Sequence, residues 1–304
     1  MRSYTIENKP YIENQIVPAM PYMGNKRKLA TKILNAIYDT VGDFEKLYDL
    51  FGGGGSVSVA GLLAGHRVIY DEYNSGISNL MQYIKDGGEL PNKWITREEF
   101  KKHKDGDDWY SGFIKCVWSF GNSQKAYLFG KEIEEYKRLG HLISVNHDEE
   151  ARIELSKKLG VEIPQCKDRH EFRQFICKEL KSRKGELEQL ERLEQLEQLE
   201  RLERLERLEI SNKSYNEIEI NDGVIYCDPP YKGTAKYKTE EFPYDEYYDW
   251  CRKMAKNNIV LCSEYWMPDD FECIWSKETK ANFDCNRDSN DDKNKRIEKL
   301  FIIK

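Results

Sequence analysis

Short apolar runs alternate with amphipathic stretches along the first part of the chain, and glycine-rich turns separate them. Residues 46–51 and 66–70 are apolar runs of strand length, and residues 57–63 between them have the pattern of a buried helix. A third run of this kind, residues 223–227, occurs much later. Because strands that alternate with helices build parallel sheets, the pattern predicts an α/β fold.

Length and composition set the scale of that fold. The chain has 304 residues, 39% of them hydrophobic, which suits one large domain or two ordinary ones with a sizeable core. It lacks an apolar run of about 18 residues, and residues 1–7 lack the apolar part of a secretory signal. We therefore expect no membrane span. Eight cysteines without a CxxC pair indicate reduced cytosolic thiols, with neither a disulfide framework nor a metal site.

The distribution of charge is more informative than its total. The net charge of -6 at first argues against a nucleic-acid partner. Residues 185–209 alone carry a net -5, however, whereas residues 76–184 carry a net +3. The acidity is concentrated in one short segment, so DNA is not excluded as a partner.

That acidic segment is a repeat with leucine at every third position. Eight leucines run from Leu187 to Leu208, separated by Glu followed by Gln or Arg. These residues favour a helix, in which leucines three positions apart rotate by about 60° around the axis, so one flat partner cannot bury them all. A solenoid-like coil is the alternative conformation. As its role we favour a spacer over a protein-contact arm.

A glycine-rich turn joins the first predicted strand to the buried helix. Residues 52–55 are four consecutive glycines, and glycine lets a ligand approach the backbone closely. The next strand ends in Asp71 and Glu72, and a carboxylate at this position commonly binds ribose hydroxyls. The arrangement fits NAD, S-adenosylmethionine or a mere tight turn. Its glycine spacing departs from the dinucleotide fingerprint, which disfavours NAD.

The tetrapeptide Asp228, Pro229, Pro230 and Tyr231 follows the third predicted strand. Proline cannot continue a central strand, so the chain leaves the sheet here, at the edge where α/β proteins bind ligands. Asp228 and the Pro229 carbonyl can accept the two N–H groups of a planar exocyclic amine and free its lone pair for methylation. Tyr231 offers a face to an extruded base. The alternative is an ordinary Pro-Pro turn with a capping Asp.

Together these motifs resemble those of the D12 class of DNA N6-adenine methyltransferases, the Dam-type or alpha-group enzymes. Residues 21–26 (PYMGNK) resemble the N-terminal motif of an aromatic, a further residue and Gly-Gly-Lys, with Asn25 replacing the second glycine. Residues 49–56 (DLFGGGGS) resemble the acidic-Pro-Phe-x-Gly-x-Gly-Ser loop. Residues 70–74 (YDEYN) are similar to the Asn-Asp-x-Asn run, and residues 228–231 match the catalytic tetrapeptide completely.

The resemblance implies methyl transfer from S-adenosylmethionine to N6 of a flipped adenine in DNA. The implied catalytic residues are Asp228, Pro229, Pro230 and Tyr231. The implied cofactor residues are Tyr22, Lys26, Phe51, Gly52, Gly54, Ser56, Glu72, the alternative carboxylate Asp71, Ser214 and Asp228. Ser214 departs from the family pattern, because many members carry an Asp there that reaches the cofactor adenine.

Three further segments resemble features of the family. Residues 232–237 look like the mobile loop that closes over the flipped adenine, residues 258–265 like a late core strand, and residues 298–303 like the closing strand. In the family, the insert before the catalytic strand contacts DNA. The corresponding insert here is residues 76–207, which includes most of the leucine repeat at 187–208.

Within the insert, residues 117–130 mix aromatics, amides and a cation. They loosely resemble the Asn-rich, Gly-ended segment of the Dam-type recognition domain. Aromatic side chains can wedge between bases, and amides can bind adenine edges. The residues expected to contact DNA are Asn122, Gln124, Lys125 and Tyr127. The alternative is an aromatic core patch under a hairpin. The basic run at 101–104 fits phosphate contacts or a solvated helix face.

We therefore expect an α/β, Rossmann-like S-adenosylmethionine-dependent methyltransferase with a mixed sheet of seven strands. Residues 1–75 and 208–304 form its core, and residues 76–207 form a mostly helical DNA-recognition insert. We expect a monomer that methylates double-stranded DNA in the cytoplasm of a bacterial cell or phage-infected host, with or without a restriction enzyme. No metal is implied.

Two alternatives remain at this level. One is amino methylation of cytosine N4, RNA or a protein glutamine. Related enzymes prefer Ser for cytosine and Asn for glutamine at the position of Asp228, so this residue favours adenine. The other is a non-catalytic interaction protein built on a retired methyltransferase core.

Overall fold

The computed structural model describes residues 3–6, 9–179, 188–202, 204–232, 242–280 and 295–303. The chain forms two compact units. The first comprises Met1–Val17, Lys26–Tyr73 and Glu203–Lys304, and the second comprises Pro18–Asn25 and Asn74–Leu202. The sequence predicts the insert at residues 76–207. The second unit instead comprises residues 74–202 together with residues 18–25.

A mixed sheet of seven strands dominates the first unit. Its strands follow a small hairpin and are numbered with it: β1 (Ser3–Ile6), β2 (Lys9–Ile12), β3 (Lys46–Asp49), β4 (Arg67–Asp71), β5 (Leu208–Ser211), β6 (Val224–Cys227), β7 (Ile259–Glu264), β8 (Phe271–Lys280) and β9 (Lys295–Ile303). The order across the sheet is β5-β4-β3-β6-β7-β9-β8. Strands β3 to β7 pair in parallel, and β9 pairs antiparallel with both β7 and β8.

The predicted α/β sheet is confirmed, including the late strands expected at 258–265 and 298–303. The central strand β6 is buried along its whole length, because parallel strands inside a sheet are covered on both faces. The helices of the first unit are α1 (Ala30–Val41), α2 (Ser56–Ala64) and α10 (Tyr244–Met254). Tyr247 and Cys251 of α10 belong to the same buried cluster as Ile225 and Val260 of the sheet.

The second unit is helical in its described part, as expected for the insert. Its helices are α3 (Ser75–Lys85), α4 (Arg97–His103), α5 (Trp109–Trp118), α6 (Lys131–Asn146), α7 (Glu149–Leu159), α8 (Arg169–Glu179) and α9 (Glu188–Glu200). Helices α3 and α5 cross closely, since a Cβ on Gly112 would lie 1.9 Å from the carbonyl oxygen of Gly76. In neither unit do the described helices combine the length and apolar character needed to cross a membrane.

The described part of the leucine repeat that belongs to the second unit lies in the interior of that unit, which argues against an external spacer. Its predicted helix is present as α9, and Leu190, Leu193, Leu196 and Leu199 are each at most 3% exposed. Four leucines at steps of about 60° cover only half of the helix surface, which the packed interior of the unit can enclose. The helix ends at Glu200, although leucine still recurs at every third position up to Leu208, which begins β5.

Salt bridges bind the acidic spacers of α9 to α8. The guanidinium of Arg173 pairs with Glu191 and lies 2.9 Å from Glu194, while Arg169 lies 2.5 Å from Glu197. The acidity that dominates the net charge of the chain is therefore partly neutralised within the second unit.

Candidate active site

The candidate active site lies at the carboxyl ends of β3 and β6, where the order of the sheet reverses. Open α/β sheets bind ligands at such a point because the loops diverge there and leave a crevice. The N–H of Leu50, just after β3, donates to the carbonyl of Tyr226 in β6 over 3.1 Å. This contact places the glycine turn beside the tetrapeptide that begins at Asp228.

The glycines after β3 are required by the backbone and by packing. Gly53 and Gly55 have φ angles of 49° and 77°, in the left-handed region. A Cβ on Gly52 would lie 2.2 Å from the ring of Tyr70, whose hydroxyl donates to the Gly53 carbonyl over 2.7 Å. Gly54 is buried in the same turn. The turn is therefore held against β4 in one conformation.

A buried carboxylate anchors the start of α2. Asp49 is 2% exposed, and its Oδ2 accepts the N–H and the hydroxyl of Ser58 at 3.0 and 2.7 Å. Burial raises the pKa of Asp49 to about 7. The hydroxyl of Ser56, at the first turn of α2, is buried and has no hydrogen-bond partner among the described residues. Because such an atom costs free energy when unsatisfied, Ser56 is suited to bind a polar ligand atom.

The structure separates the roles of the two carboxylates at the end of β4. Glu72 accepts the N–H of Gly53 at 2.8 Å, so it faces the glycine turn. Asp71 accepts the N–H of Lys213 at 3.0 Å and is 1% exposed, and burial raises its pKa. Asp71 thus fastens the chain after β5 to β4, whereas Glu72 lies on the side where a ligand of the turn would bind.

Aromatic rings form one wall of this end of the sheet. Phe51 stacks on Tyr215 with centroids 5.4 Å apart and contacts the edge of Phe242 at 5.9 Å. Ser214 comes directly before Tyr215 and caps the short 3-10 helix there, its N–H donating to Glu217 at 2.9 Å. Ser214 therefore has a local structural role beside the aromatic wall.

Lys26 and Asp228 form the central ion pair of the site. The Lys26 ammonium lies 2.9 Å from both carboxylate oxygens of Asp228, and the two side chains are 9% and 18% exposed. A backbone carbonyl in the tetrapeptide is also fixed, because the Tyr244 hydroxyl donates to Pro230 over 2.9 Å. Pro229, between Asp228 and Pro230 in the chain, is buried. The structure brings the predicted lysine and the predicted catalytic carboxylate together.

Glu298 joins this pair, although sequence reasoning did not select it. It accepts the hydroxyl of Tyr231 and lies 3.7 Å from the Lys26 ammonium. The ammonium also lies over the Tyr231 ring, 4.8 Å from its centroid. One signal was present in the sequence. Glu298 is two residues before Leu300, so on a strand it faces the same side as this fully buried leucine.

A further carboxylate holds the chain as it leaves the tetrapeptide. Glu264, at the end of β7, accepts the N–H of Lys232 at 3.1 Å and that of Tyr265 at 2.7 Å. It is 2% exposed, and burial raises its pKa to about 7. Of the loop predicted at 232–237, residues 233–237 lie outside the described residues.

Tyr22, predicted to bind the cofactor, belongs to the second unit. Its carbonyl accepts the N–H of Asn25 at 3.3 Å in a tight turn. Gly24 has a φ of 76° in this turn, which explains the glycine of the motif. Asn25 replaces the second glycine without adopting a positive φ.

The predicted DNA-contacting segment forms a tight loop in the second unit. It is closed by a bridge between Ser119 and Tyr127. Gly121, Asn122 and Gln124 have φ angles of 60°, 55° and 61°, a conformation that asparagine tolerates better than most residues. The Gln124 side chain accepts the amide N–H of Asn74 at 3.0 Å. The loop is therefore held in one unusual backbone conformation.

The structure divides the predicted DNA contacts between surface and core. Lys125 is exposed, and Asn122 and Gln124 are half-buried. Tyr127 is 7% exposed, and its hydroxyl donates to the Ile95 carbonyl at 2.8 Å. The burial of this ring favours the core-patch alternative for Tyr127. Phe120, which was not selected as a contact, is 60% exposed in the same loop.

Comparison with protein families gives a match over residues 22–279. The matching family is the D12 class N6 adenine-specific DNA methyltransferase. The matched segment contains the turn at Tyr22, the glycine turn, the loop closed by Ser119 and Tyr127, and the tetrapeptide. A search of the curated proteins finds no match.

Proposed function

The chain belongs to the D12 class of N6 adenine-specific DNA methyltransferases and methylates adenine in DNA, and we propose that it does so with S-adenosylmethionine on an adenine flipped out of double-stranded DNA. The seven-stranded sheet agrees with the Rossmann-like fold of such enzymes. One observation supports the catalytic assignment most directly. Lys26 and Asp228 meet in one ion pair at the switch point of the sheet.

The residues of the glycine turn fit the proposed cofactor. S-adenosylmethionine, when bound, supplies a methyl group activated by a sulfonium. Glu72 provides a carboxylate next to the turn, suited to ribose hydroxyls. The buried Ser56 hydroxyl offers a hydrogen-bonding group to a polar atom, and Phe51 offers an aromatic surface. Asp71 and Ser214 have structural partners instead, so we assign them supporting roles.

The tetrapeptide provides the acceptors for the target amine. We propose that Asp228 and the Pro229 carbonyl accept the two N–H groups of adenine N6 and orient its lone pair toward the methyl group. Each carboxylate oxygen can accept more than one hydrogen bond, so the contact of Asp228 with Lys26 leaves room for the amine. The hydrogen bond from Tyr244 to Pro230 keeps this loop rigid. Tyr231 would stack on the extruded base.

We propose that the loop 119–127 reads the DNA. Its support is the exposed Phe120 and Lys125 together with the amides of Asn122 and Gln124 on a constrained backbone. Exposed aromatics can wedge into a base step, and amides can bind base edges. All these groups come from a single chain, so a monomer suffices. Because its substrate is DNA, we propose that the enzyme acts in the cytoplasm of a bacterial cell or phage-infected host.

The test is to incubate the protein with cofactor labelled in the methyl group and with duplex DNA from a host that lacks adenine methylation. Digestion of the DNA to nucleosides should place the label in N6-methyladenine. The matched control is Glu209→Gln, which removes an exposed carboxylate paired with Arg67 on the same sheet, and it should retain full activity. Absence of labelled N6-methyladenine, with cofactor shown to bind, would refute the proposal.

A further inference from the structure

Glu298 is a buried carboxylate at the start of the segment that resembles the closing strand, and the sequence motifs give it no role in the site. It is 6% exposed on β9, the strand between β7 and β8. Burying a carboxylate is costly unless hydrogen bonds and an opposite charge compensate. Its compensating partners, Tyr231 and Lys26, are both residues of the proposed active site.

The contact with Tyr231 fixes the orientation of the ring. Tyrosine rings rotate about two side-chain bonds, and the hydroxyl at the far end is held by Glu298. Tyr265 packs against the same ring edge-on, with centroids 4.7 Å apart. The ring is thus fixed at its end and at its side.

The contact with Lys26 gives its ammonium a second anionic neighbour. The ammonium lies 2.9 Å from Asp228 and 3.7 Å from Glu298, so it sits between two carboxylates. An amine that binds Asp228 shares the carboxylate oxygens with Lys26 and weakens the contact between Lys26 and Asp228. Glu298 would then keep the ammonium in place while Asp228 takes up the amine.

We propose that Glu298 is a positioning residue for adenine methylation, which orients Tyr231 and retains Lys26 beside Asp228 without touching the substrate. This inference rests on the proposed function of the tetrapeptide. It predicts a specific kinetic effect of removing Glu298. Because Glu298 orients Tyr231 and retains Lys26 beside Asp228, its removal should lower the rate of methyl transfer far more than the affinity for the cofactor.

A merely structural role for Glu298 would give a different result. In that case substitution would lower the stability of β9, and the surviving folded protein would keep its kcat. The two roles are distinguished by kcat, by KM for DNA and by cofactor affinity measured on the folded fraction. They are also distinguished by whether the effects of Glu298 and Tyr231 combine independently.

The experiment compares wild type, Glu298→Gln, Glu298→Ala, Tyr231→Phe and both double variants, on duplex DNA from a host without adenine methylation. Glu298→Ala should lower kcat by about tenfold or more, with the Kd for S-adenosylmethionine within about threefold of wild type. Glu298→Gln keeps an acceptor for the Tyr231 hydroxyl, so it should recover part of the loss. Tyr231→Phe should cost little more once Glu298 is gone.

Two results would overturn the inference: wild-type kcat in Glu298→Ala, or losses that multiply fully in the double variants. If Glu298→Ala does not fold, Glu298→Gln, Tyr231→Phe and their double variant provide the same test, because they change the size of the side chains less. Glu209→Gln is the control for removal of a carboxylate from the sheet. An inactive wild type would instead refute the proposed function, whereas an active wild type with an equally active Glu298→Ala refutes only this inference.

Discussion

The ammonium of Lys26 lies 2.9 Å from each carboxylate oxygen of Asp228, although 202 positions separate the two residues in the chain. Within the first unit, the pair joins the residues that precede α1 to the loop after β6. Both side chains are largely buried, so each depends on the other for its charge compensation. The predictions below follow from this pair and its surroundings.

Lys26→Met should abolish most activity and also destabilise the first unit. Removal of one partner leaves Asp228 and Glu298 without their shared cation, and breaking a buried ion pair costs about 3–5 kcal/mol. Urea unfolding should show the loss. Adding Asp228→Asn to Lys26→Met should restore part of the stability, because it removes one of the uncompensated charges. Equal stability of Lys26→Met and wild type would show that the pair is not structurally important.

Substitution of Glu72 and of Asp71 should affect cofactor binding differently. Glu72→Ala should weaken binding of S-adenosylmethionine about tenfold or more, measured by titration calorimetry. Asp71→Ala should instead lower the melting temperature, because the carboxylate that holds the N–H of Lys213 is lost. If Asp71→Ala weakens cofactor binding more than Glu72→Ala does, the two assignments are reversed.

Substitution of Lys125 should affect DNA binding, whereas substitution of Tyr127 should affect the stability of the fold. Lys125→Ala should weaken DNA binding and reduce the slope of log K against log salt by about 1, as expected for one phosphate contact. Tyr127→Phe loses the hydrogen bond to Ile95 and should cost about 1 kcal/mol of stability while DNA affinity stays unchanged. A fall in DNA affinity for Tyr127→Phe alone would contradict the placement of this ring in the core.

Arg192 should be the most sensitive arginine of the leucine repeat. It is 2% exposed, and its guanidinium donates to the carbonyls of Val117 and Ser119 at 3.0 and 2.6 Å, at the end of α5. Arg192→Met leaves these carbonyls without that donor and should cost about 2–4 kcal/mol of stability. The control is Arg201→Met in the same repeat. Arg201 is exposed, so that change should stay within about 0.5 kcal/mol. Similar effects of the two changes would exclude this role of Arg192.

Because of Glu264, the free energy of unfolding should fall as the pH rises from about 5 to 8. Burial raises its pKa to about 7, so the folded protein binds a proton that the unfolded chain has lost above about pH 4.3. The stabilisation is complete below that pH and is lost as pH rises through about 7. Glu264→Gln cannot ionise. Relative to wild type it should therefore gain roughly 2 kcal/mol between pH 5 and pH 8, measured by urea unfolding. A difference that is constant with pH would contradict this.

The sequence predicted the sheet and the motif residues well because both depend on local patterns. Apolar runs bounded by glycine or proline mark β3, β4 and β6, and the tetrapeptide at Asp228 has few structural alternatives. The tertiary partners were harder to predict. Glu298 is separated from Tyr231 by 67 positions, so no local pattern connects them.

The leucine repeat and Tyr127 show the opposite difficulty. An isolated helix with leucine every third residue has no flat apolar face, so its burial depends on neighbours that surround it, such as α8 and α5. Tyr127 lies in a segment whose composition suits both DNA contact and a core. Its position inside the unit, with its hydroxyl donating to the Ile95 carbonyl, favours the core.

The most direct test of the account is single-turnover methyl transfer by Asp228→Ala, with cofactor affinity measured on the same preparation. Loss of a charged acceptor that acts in the transition state should lower the rate by about 100-fold or more, and the Kd for S-adenosylmethionine should change far less, because Glu72 and the glycine turn are untouched. N6-methyladenine should fall in parallel with the rate. An Asp228→Ala protein that forms N6-methyladenine at the wild-type rate would contradict the account.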